Sequence, residues 1–287
     1  MTPNLNPFQR HRSVEALVSP QSRTAETYRR LRAMVDLAAG EQGGVRLVTS
    51  PSAGDGTTTV VANIGVSLAT AARPVLLIDG NLYRPRLHTV FGLPNDIGLT
   101  SVISGDATLD AAIHVLPEHP GVHVLTAGPP VADPASLLAG PAAEQIMAAA
   151  ASSAPVVFVD GPPLLPVTGG VVLADLAAGV LVVTRAGRTS RSELASALEL
   201  VARTGTPVLG VVLNAVRGKR VDRARYRDRR YSIQHGTTET SGGSGSTAYG
   251  SSVSDEVPER AVADDRQLSG ENEVVPTSTA APVRVAP

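Results

Sequence analysis

Short apolar runs alternate with helix-length segments along most of the chain. Six runs of mainly Val, Leu and Ile lie at residues 45–48, 75–78, 122–125, 156–159, 180–183 and 208–213. They lack the alternation of apolar and polar residues that marks a strand with one face in water. Strands that are apolar on both faces are typical of a parallel sheet covered on each side by crossover helices. The pattern therefore predicts an α/β fold with a doubly wound, mostly parallel sheet.

Helical periodicity is found in four segments, at residues 22–39, 58–71, 134–151 and 190–204. Three of them follow apolar runs, as the crossover helices of such a sheet do. The first segment has Ser22 or Thr24 as its candidate N-cap. Its apolar face is expected to consist of Tyr28, Leu31, Val35 and Ala38.

The domain organisation predicted from these patterns is one folded unit between less structured ends. Residues 1–20 are expected to form a flexible arm, 21–40 an N-terminal helix and 45–218 the α/β domain. Residues 219–235 hold one Lys and six Arg against two Asp and form a basic segment. Residues 236–287 are dominated by Ser, Thr, Gly, Pro and Ala, which bury too little apolar surface to fold. We therefore expect a disordered tail.

Composition narrows the possible functions. Of the 287 residues, 43% are hydrophobic and 3% aromatic, and the net charge of −1 argues against nucleic acid as a partner. The absence of Cys excludes disulfides and thiol catalysis and favours a reducing cytoplasm. No apolar run approaches the ~20 residues of a membrane span, and the first residues lack a signal-peptide pattern. We expect a cytoplasmic protein that reaches the membrane through a partner.

A Gly-rich segment, Thr-Ser-Pro-Ser-Ala-Gly-Asp-Gly-Thr-Thr-Thr at residues 49–59, joins the first strand to a helix. The backbone N–H groups of such a turn bind phosphates, usually with a Lys beside the Ser or Thr that meets Mg²⁺. Here Thr57 stands in place of that Lys. The candidate nucleotide-binding residues are Gly54, Asp55, Gly56, Thr57, Thr58 and Thr59. Taken alone, the segment is equally consistent with a capped helix start.

Two aspartates at strand ends favour the interpretation of the Gly-rich segment as a phosphate-binding loop. Asp79 follows the second apolar run and Asp160 the fourth, where open α/β sheets bind ligands. They are the candidate catalytic carboxylates and, with Thr58, the candidate Mg²⁺ ligands. A single Asp at such a position is more often a helix N-cap, but three such features in this order favour a nucleotide site.

In this order the motifs resemble those of the bacterial tyrosine kinases of capsular and exopolysaccharide synthesis, relatives of the MinD and ParA ATPases. The matching segments are Glu-Thr-Tyr-Arg-Arg-Leu-Arg at 26–32, the loop at 50–59, and residues 79–88, 127–138, 160–163 and 209–214. The resemblance covers roughly residues 20–217 in collinear order. It implies a P-loop kinase-like domain with ATP and Mg²⁺ as cofactors, and a membrane-embedded polysaccharide co-polymerase as partner.

The resemblance also implies roles for residues outside the loop. Glu26, Arg29 and Arg32 would join copies of the chain into a homo-oligomer, and Asn214 would contact the adenine ring. A polar residue at a strand end needs no function, so Asn214 is as easily structural. The candidate autophosphorylation sites are Tyr226, Tyr231 and Tyr249. The basic surroundings of the first two equally suggest contact with anionic lipid.

Four positions depart from the family pattern. Thr57 replaces the loop Lys, Asn81 a metal-side Asp, Tyr83 an Arg and Gly169 an Asp. A charge-assisted hydrogen bond contributes about 1.5–3 kcal/mol, so loss of the Lys weakens ATP binding roughly 10- to 100-fold. Loss of a cationic clamp can slow phosphoryl transfer by about 10³–10⁵. Weak ATP and Mg²⁺ binding with little or no turnover is expected.

Three functions remain open from the sequence. The preferred one is a degenerate, regulatory pseudokinase. The second is an active ATP-dependent tyrosine autokinase that uses Arg in place of Lys, because Lys219 is the only lysine in the chain. The third is a MinD- or ParA-like positioning or partition ATPase, which shares the fold but is disfavoured by the segments at 26–32 and 84–88.

Overall fold

The computed structural model describes Val14, residues 21–39 and 43–216, and the backbone of residues 283–284. Its strands β1 to β8 are Val45–Thr49, Val75–Asp79, Ile113–Leu116, His119–Leu125, Val157–Asp160, Gly179–Arg185, Val208–Asn214 and Val283–Arg284. Its helices α1 to α9 are Arg23–Ala39, Thr57–Ala69, Leu87–Phe91, Leu99–Ile103, Leu109–Ala112, Pro134–Leu138, Pro141–Ser153, Gly169–Asp175 and Arg191–Thr204. Tyr226, Tyr231, Tyr249, the basic segment and nearly all of the predicted tail lie outside the described residues.

The eight strands form one sheet in the order β3-β4-β2-β5-β1-β6-β7-β8. All neighbouring strands pair in parallel except β3 and β4, which are antiparallel. This confirms the predicted mostly parallel sheet. The sequence analysis did not predict the two outermost strands. In β3, Val115 is exposed and His114 half-buried, so this edge strand lacks a continuous apolar run, and β8 has only two residues.

Helices cover both faces of the sheet and enclose two apolar clusters. On one face, α1 and α2 pack with side chains such as Phe158 of β5. On the other face, α6 to α9 pack with the neighbouring side chains of β5, Val157 and Val159. Successive side chains of β5 therefore enter opposite clusters, as the alternation along a doubly covered strand requires. None of the described helices is long and apolar enough to span a bilayer.

The predicted helix at 134–151 is wrong in one respect, because the segment contains two helices. α6 ends at Leu138, and Gly140 has extended backbone angles where α7 begins. Pro141 is the first residue of α7 and has no N–H to continue the preceding helix, but its fixed φ suits a helix start. The Gly-Pro pair was the signal for this break. The short helices α3, α4, α5 and α8 were also not predicted.

Helix α1 buries the face that its periodicity predicts, with one shift. Tyr28, Leu31 and Val35 are buried, but Ala39 is buried in place of the predicted Ala38, which is exposed. Ser22 is the N-cap, since its hydroxyl oxygen accepts a 3.0 Å hydrogen bond from the N–H of Ala25. The prediction of Thr24 as the alternative cap is therefore wrong.

Arg32 links α1 to the end of α2. Its guanidinium donates a 2.7 Å hydrogen bond to the backbone carbonyl of Ser67. Ser67 lies in the last turn of α2, and the N–H of Ala71, which would otherwise reach that carbonyl, bonds to Leu68 instead. Arg32 therefore satisfies one of the carbonyl groups that a helix C-terminus leaves open.

Replacing Arg32 by Ala should lower the free energy of unfolding by about 1–2 kcal/mol, because a partly buried, charge-assisted hydrogen bond is lost. Urea unfolding followed by circular dichroism measures this. The control is Arg30→Ala, whose side chain is 59% exposed and lies 3.5 Å from Glu26. The control should change stability by no more than about 0.5 kcal/mol. Equal effects of the two substitutions would mean that Arg32 contributes nothing beyond a surface charge.

Candidate nucleotide site

The ends of three neighbouring strands bring the candidate site residues together. β5 lies between β2 and β1, and Asp79 is directly opposite Asp160 in the register of β2 and β5. Asp160 is in turn paired with Val48 of β1, two residues before the Gly-rich loop. The loop and both aspartates therefore meet at the carboxyl edge of the sheet, where open α/β folds bind ligands.

The backbone of the Gly-rich loop is shaped for close approach of an anion. Gly54 and Gly56 have φ angles of +86° and +104°, in the left-handed region that favours glycine. Gly56 is the N-cap of α2 and, as a glycine, has no side chain to accept a hydrogen bond from the first turn of this helix. The N–H groups at the start of α2 therefore remain available for an anion, which the helix dipole also favours.

Asn214, at the end of β7, is hydrogen-bonded to this loop. Its side-chain amide donates a 3.0 Å hydrogen bond to the backbone carbonyl of Asp55. The same amide nitrogen would lie 2.1 Å from a Cβ atom at Gly56, so no other residue fits there without a rearrangement. The contact of Asn214 in this structure is therefore with the loop, and its contact with adenine stays a prediction.

Asp55 is fixed inside the loop and does not face the cavity. The side chain is buried, and Oδ2 accepts a 3.3 Å hydrogen bond from the N–H of Ser52. Burial raises the pKa of Asp55, and the hydrogen bond from Ser52 opposes the rise. Its role among the candidate nucleotide-binding residues is thus to shape the loop.

Asp79 is a helix cap as well as a site residue. Its Oδ2 accepts hydrogen bonds of 2.8 and 2.9 Å from the N–H groups of Arg86 and Leu87 at the start of α3, and Oδ1 accepts one of 3.3 Å from Asn81. Burial raises the pKa of Asp79 to about 6, although these three N–H donors favour the ionised form. The capping role that a lone strand-end Asp often has is therefore present here, beside any role with a cation.

Asp160 differs from Asp79 because it accepts no such hydrogen bonds from backbone N–H groups of the described residues. It is fully buried, and among the described residues neither carboxylate oxygen has a hydrogen-bond partner of standard geometry. Burial raises its pKa well above the ordinary value, the neighbouring Asp79 raises it further, and the nearby hydroxyls of Thr58 and Thr57 lower it. A buried carboxylate without a partner carries a large desolvation cost that a bound cation would relieve.

These residues fit Mg²⁺, which prefers oxygen ligands and retains several waters. Asp160 offers two unpartnered carboxylate oxygens, with the hydroxyl of Thr58 and the carboxylate of Asp79 beside it. A bound Mg²⁺ would supply positive charge next to phosphates held by the loop. The predicted metal ligands are therefore grouped as that chemistry requires.

A cavity of about 570 Å³ lies against the Gly-rich loop and the first turn of α2. Its walls include the following residues: Ser50, Ala53, Gly54, Gly56, Thr57, Thr58, Thr59, Asn81, Tyr83, Arg84, Arg86, Val90, Pro163, Pro166, Val167 and Arg185. Three arginines line it, and no carboxylate is found among these described wall residues. The cavity therefore favours a polyanion of nucleotide size.

Comparison with known proteins decides the family. The chain is 33% identical to the tyrosine-protein kinase YwqD of Bacillus subtilis over 204 residues, which are 71% of this chain and 86% of YwqD. The chain belongs to the bacterial tyrosine-protein kinases. It is also 30% identical to the putative tyrosine-protein kinase EpsB of Ralstonia nicotianae over 228 residues, but it spans only 29% of that longer protein. None of the protein-family models matches the chain.

Solved structures confirm the fold expected for this family. The kinase domain of Escherichia coli tyrosine kinase ETK superposes with a TM-score of 0.68 at 25% identity, covering 84% of this chain and 89% of that domain. The chimeric protein CapA2B2 gives 0.67 at 29% identity, covering 71% and 90%. A cobyrinic acid a,c-diamide synthase from Mycobacterium smegmatis, solved with an ATP analogue and magnesium, shares the fold alone, with 0.53 at 21% identity.

Two of the four positions that we expect to depart from the family pattern, Tyr83 and Gly169, contact each other. A Cβ atom at Gly169 would lie 2.9 Å from Cε2 and 3.2 Å from the hydroxyl of Tyr83, and 3.5 Å from Cδ1 of Leu138. The ring of Tyr83 therefore occupies the space that a side chain at position 169 would need. Asn81, the third departure, lines the cavity and accepts a 3.2 Å hydrogen bond from the N–H of Arg84. It retains an oxygen but not the charge of an Asp.

The candidate oligomerisation residues of this kinase-family chain lie on α1. Glu26 forms an ion pair of 2.6 Å with Arg29 in the same helix, and Arg32 binds Ser67 of α2. Two of the three side chains are thus paired within α1 and the third contacts its own domain. The homo-oligomer stays a prediction.

Sequence reasoning missed Arg185, the last residue of β6. Its guanidinium donates a 3.1 Å hydrogen bond to the carbonyl of Gly54 and lines the cavity. Arg185 could have been found from the sequence by its position, because it follows an apolar run as Asp79 and Asp160 do. Arg84 and Arg86, in the segment before α3, line the same cavity.

The buried carboxylates predict a distinctive dependence of stability on pH. Because the pKa of Asp79 is raised from 3.8 to about 6 on folding, the folded protein holds more protons than the unfolded chain between these values. Without metal, this contribution to stability is present at low pH, falls through that window as pH rises and then levels off. The raised pKa of Asp160 acts in the same direction.

Asp160→Asn should therefore raise the metal-free free energy of unfolding at pH 7 by about 1–3 kcal/mol, since it removes a carboxyl group whose ionised form burial disfavours. It should also abolish stabilisation by Mg²⁺. Thermal melts between pH 4 and pH 8, with and without Mg²⁺, measure both effects. Asp175→Asn, at the exposed last residue of α8, is the control and should change neither. A variant no more stable than wild type at pH 7 would contradict this account of Asp160.

The contact between Tyr83 and Gly169 predicts a reversal of the usual effect of Gly→Ala in a helix. Ala normally stabilises a helix by about 0.5–1 kcal/mol relative to Gly. Gly169→Ala should instead destabilise by about 1–3 kcal/mol, because its methyl group overlaps the ring. The cost should disappear in a Tyr83→Ala background. Gly210→Ala, whose methyl group would meet only Leu181 at 3.8 Å, is the control. Denaturant titrations that gave additive effects would show that the two positions are independent.

Proposed function

We propose that this chain is a regulatory, kinase-like component of capsular or extracellular polysaccharide synthesis and export that binds Mg²⁺ and ATP and transfers phosphate slowly or not at all. The observation that carries the proposal is the composition of the cavity. The start of α2 and three arginines provide positive potential for phosphates, whereas the metal side retains Asp160 but has Asn81 and Gly169 at the departing positions.

The substitutions should weaken ATP binding less than they slow phosphoryl transfer, because the two need different groups. Phosphates need backbone N–H groups and cations, and these line the cavity. Transfer of the γ-phosphoryl group to a tyrosine hydroxyl, with release of ADP, also needs a nearby group to accept the hydroxyl proton. Asp79 has a pKa of about 6 but is held by three backbone N–H donors, so it is poorly placed to reach a substrate.

An active tyrosine autokinase is the second candidate, and one observation favours it. The three arginines of the cavity restore positive charge that Thr57 does not supply. In that case the tyrosines of the C-terminal segment would be the acceptors. A membrane-embedded co-polymerase would be the partner of the chain under either candidate, with both acting at the inner face of the plasma membrane.

Purified wild-type protein incubated with Mg²⁺ and ATP should carry no more phosphotyrosine at Tyr226, Tyr231 or Tyr249 than the Asp160→Asn variant does. Thr57→Lys should strengthen ATP binding but leave labelling at that background. Detectable transfer should require Asn81→Asp and Gly169→Asp together with Tyr83→Arg, since the tyrosine ring blocks position 169. Mass spectrometry of tryptic peptides gives the readout. Strong labelling of the wild-type protein would establish the autokinase instead.

The regulatory role has a separate readout in cells. A strain lacking this chain should make surface polysaccharide of altered chain length, and wild-type protein should restore it. Asp160→Asn should fail to restore it if Mg²⁺ and ATP control the assembly. Unchanged polysaccharide in the deletion strain would contradict the proposed pathway while leaving nucleotide binding intact.

A further inference from the structure

We propose that Arg185 takes over the role of the missing loop lysine and binds the β- and γ-phosphates of ATP from the end of β6. The inference rests on the proposed nucleotide binding and names the residue on which that binding depends. Lysine in such loops reaches the phosphates from within the loop itself. Here the positive charge comes from a neighbouring strand.

The position of Arg185 follows from the order of the strands. β6 is the neighbour of β1 on the side away from β5, so its carboxyl end lies beside the loop that leaves β1. The hydrogen bond of 3.1 Å from Nη1 of Arg185 to the carbonyl of Gly54 fixes the guanidinium against that loop. The same side chain lines the cavity together with Thr57, Thr58 and Thr59 of α2.

The charge of Arg185 is available for a ligand. Among the described residues it has no ion pair, and its hydrogen bond to Gly54 uses one of the five N–H donors of a guanidinium. Its neighbour Arg188 differs, because it lies close enough to Asp55 and Glu193 to lower the pKa of both carboxyls. Arg185 is thus the loop-side arginine whose charge is not already offset.

Thr57 is not expected to bind the β- and γ-phosphates in place of Arg185. Its hydroxyl lies near the carboxylate of Asp160 and lowers the pKa of that group, which places it on the metal side. Arg84 and Arg86 line the cavity from the segment before α3. Arg185 is the cavity arginine that the structure shows in contact with the phosphate loop, and its guanidinium can bind two phosphate oxygens at once.

The decisive variant is Arg185→Gln, since glutamine removes the charge but can still donate a hydrogen bond to the carbonyl of Gly54. By calorimetry in the presence of Mg²⁺, it should weaken ATP and ADP binding at least tenfold, the usual effect of losing one charge-assisted hydrogen bond, and leave AMP nearly unchanged. Arg185→Lys should retain most of the affinity. Arg203→Gln, in the last turn of α9, makes the same change of charge away from the cavity and is the control.

A rescue experiment tests directly whether Arg185 replaces the loop lysine. Thr57→Lys should restore ATP affinity in the Arg185→Gln background and should improve affinity less when Arg185 is present. Unchanged ATP binding by Arg185→Gln, with a wild type that does bind, overturns this inference alone. Equal losses for ATP, ADP and AMP together with a lower melting temperature also overturn it, because Arg185 would then only position the loop. A wild type that binds no nucleotide overturns the proposed nucleotide binding and this inference with it.

Discussion

Two carboxylates buried side by side at the ends of β2 and β5 impose the main constraint on this molecule. Water is excluded from both faces of the sheet at this point, so ionising either group costs free energy, and ionising both costs more. Asp79 offsets that cost with three backbone N–H donors, whereas Asp160 has no hydrogen-bond partner among the described residues. The two groups therefore differ: Asp79 organises the turn into α3, whereas Asp160 has a desolvation cost that a bound cation would relieve.

The positions that we expect to depart from the family pattern lie in different parts of this site. Thr57, in the first turn of α2, and Asn81, after β2, are both uncharged and both line the cavity. Gly169 and Tyr83 form a packed contact, with the ring filling the space above the glycine. A side chain returned to position 169 without a change at 83 would meet an aromatic ring. A larger side chain at position 169 would therefore require a change at position 83 as well.

The sequence contains enough to predict the sheet and the position of its carboxyl edge. Uninterrupted apolar runs indicate strands buried on both faces, and parallel strands bring their carboxyl ends together, so Asp79 and Asp160 could be placed without coordinates. β3 was missed because edge strands need no continuous apolar run. The contacts between Tyr83 and Gly169, and between Arg185 and Gly54, join positions 86 and 131 residues apart, and no local pattern records such tertiary contacts.

The same geometry supports the proposal that a strand end supplies the positive charge that a loop lysine would otherwise bring to a phosphate. The electrostatic attraction between a phosphate and a positive charge depends on the distance between them, whichever segment carries the charge. A parallel sheet brings the ends of strands that are far apart in sequence side by side. In this chain 24 of the 25 basic residues are arginine, and the guanidinium of Arg185 donates a hydrogen bond to the loop carbonyl of Gly54. That group is broad, planar and rigid, whereas an ammonium is compact. At the end of β6 its several N–H donors allow it to bond to the carbonyl of Gly54 and still line the cavity.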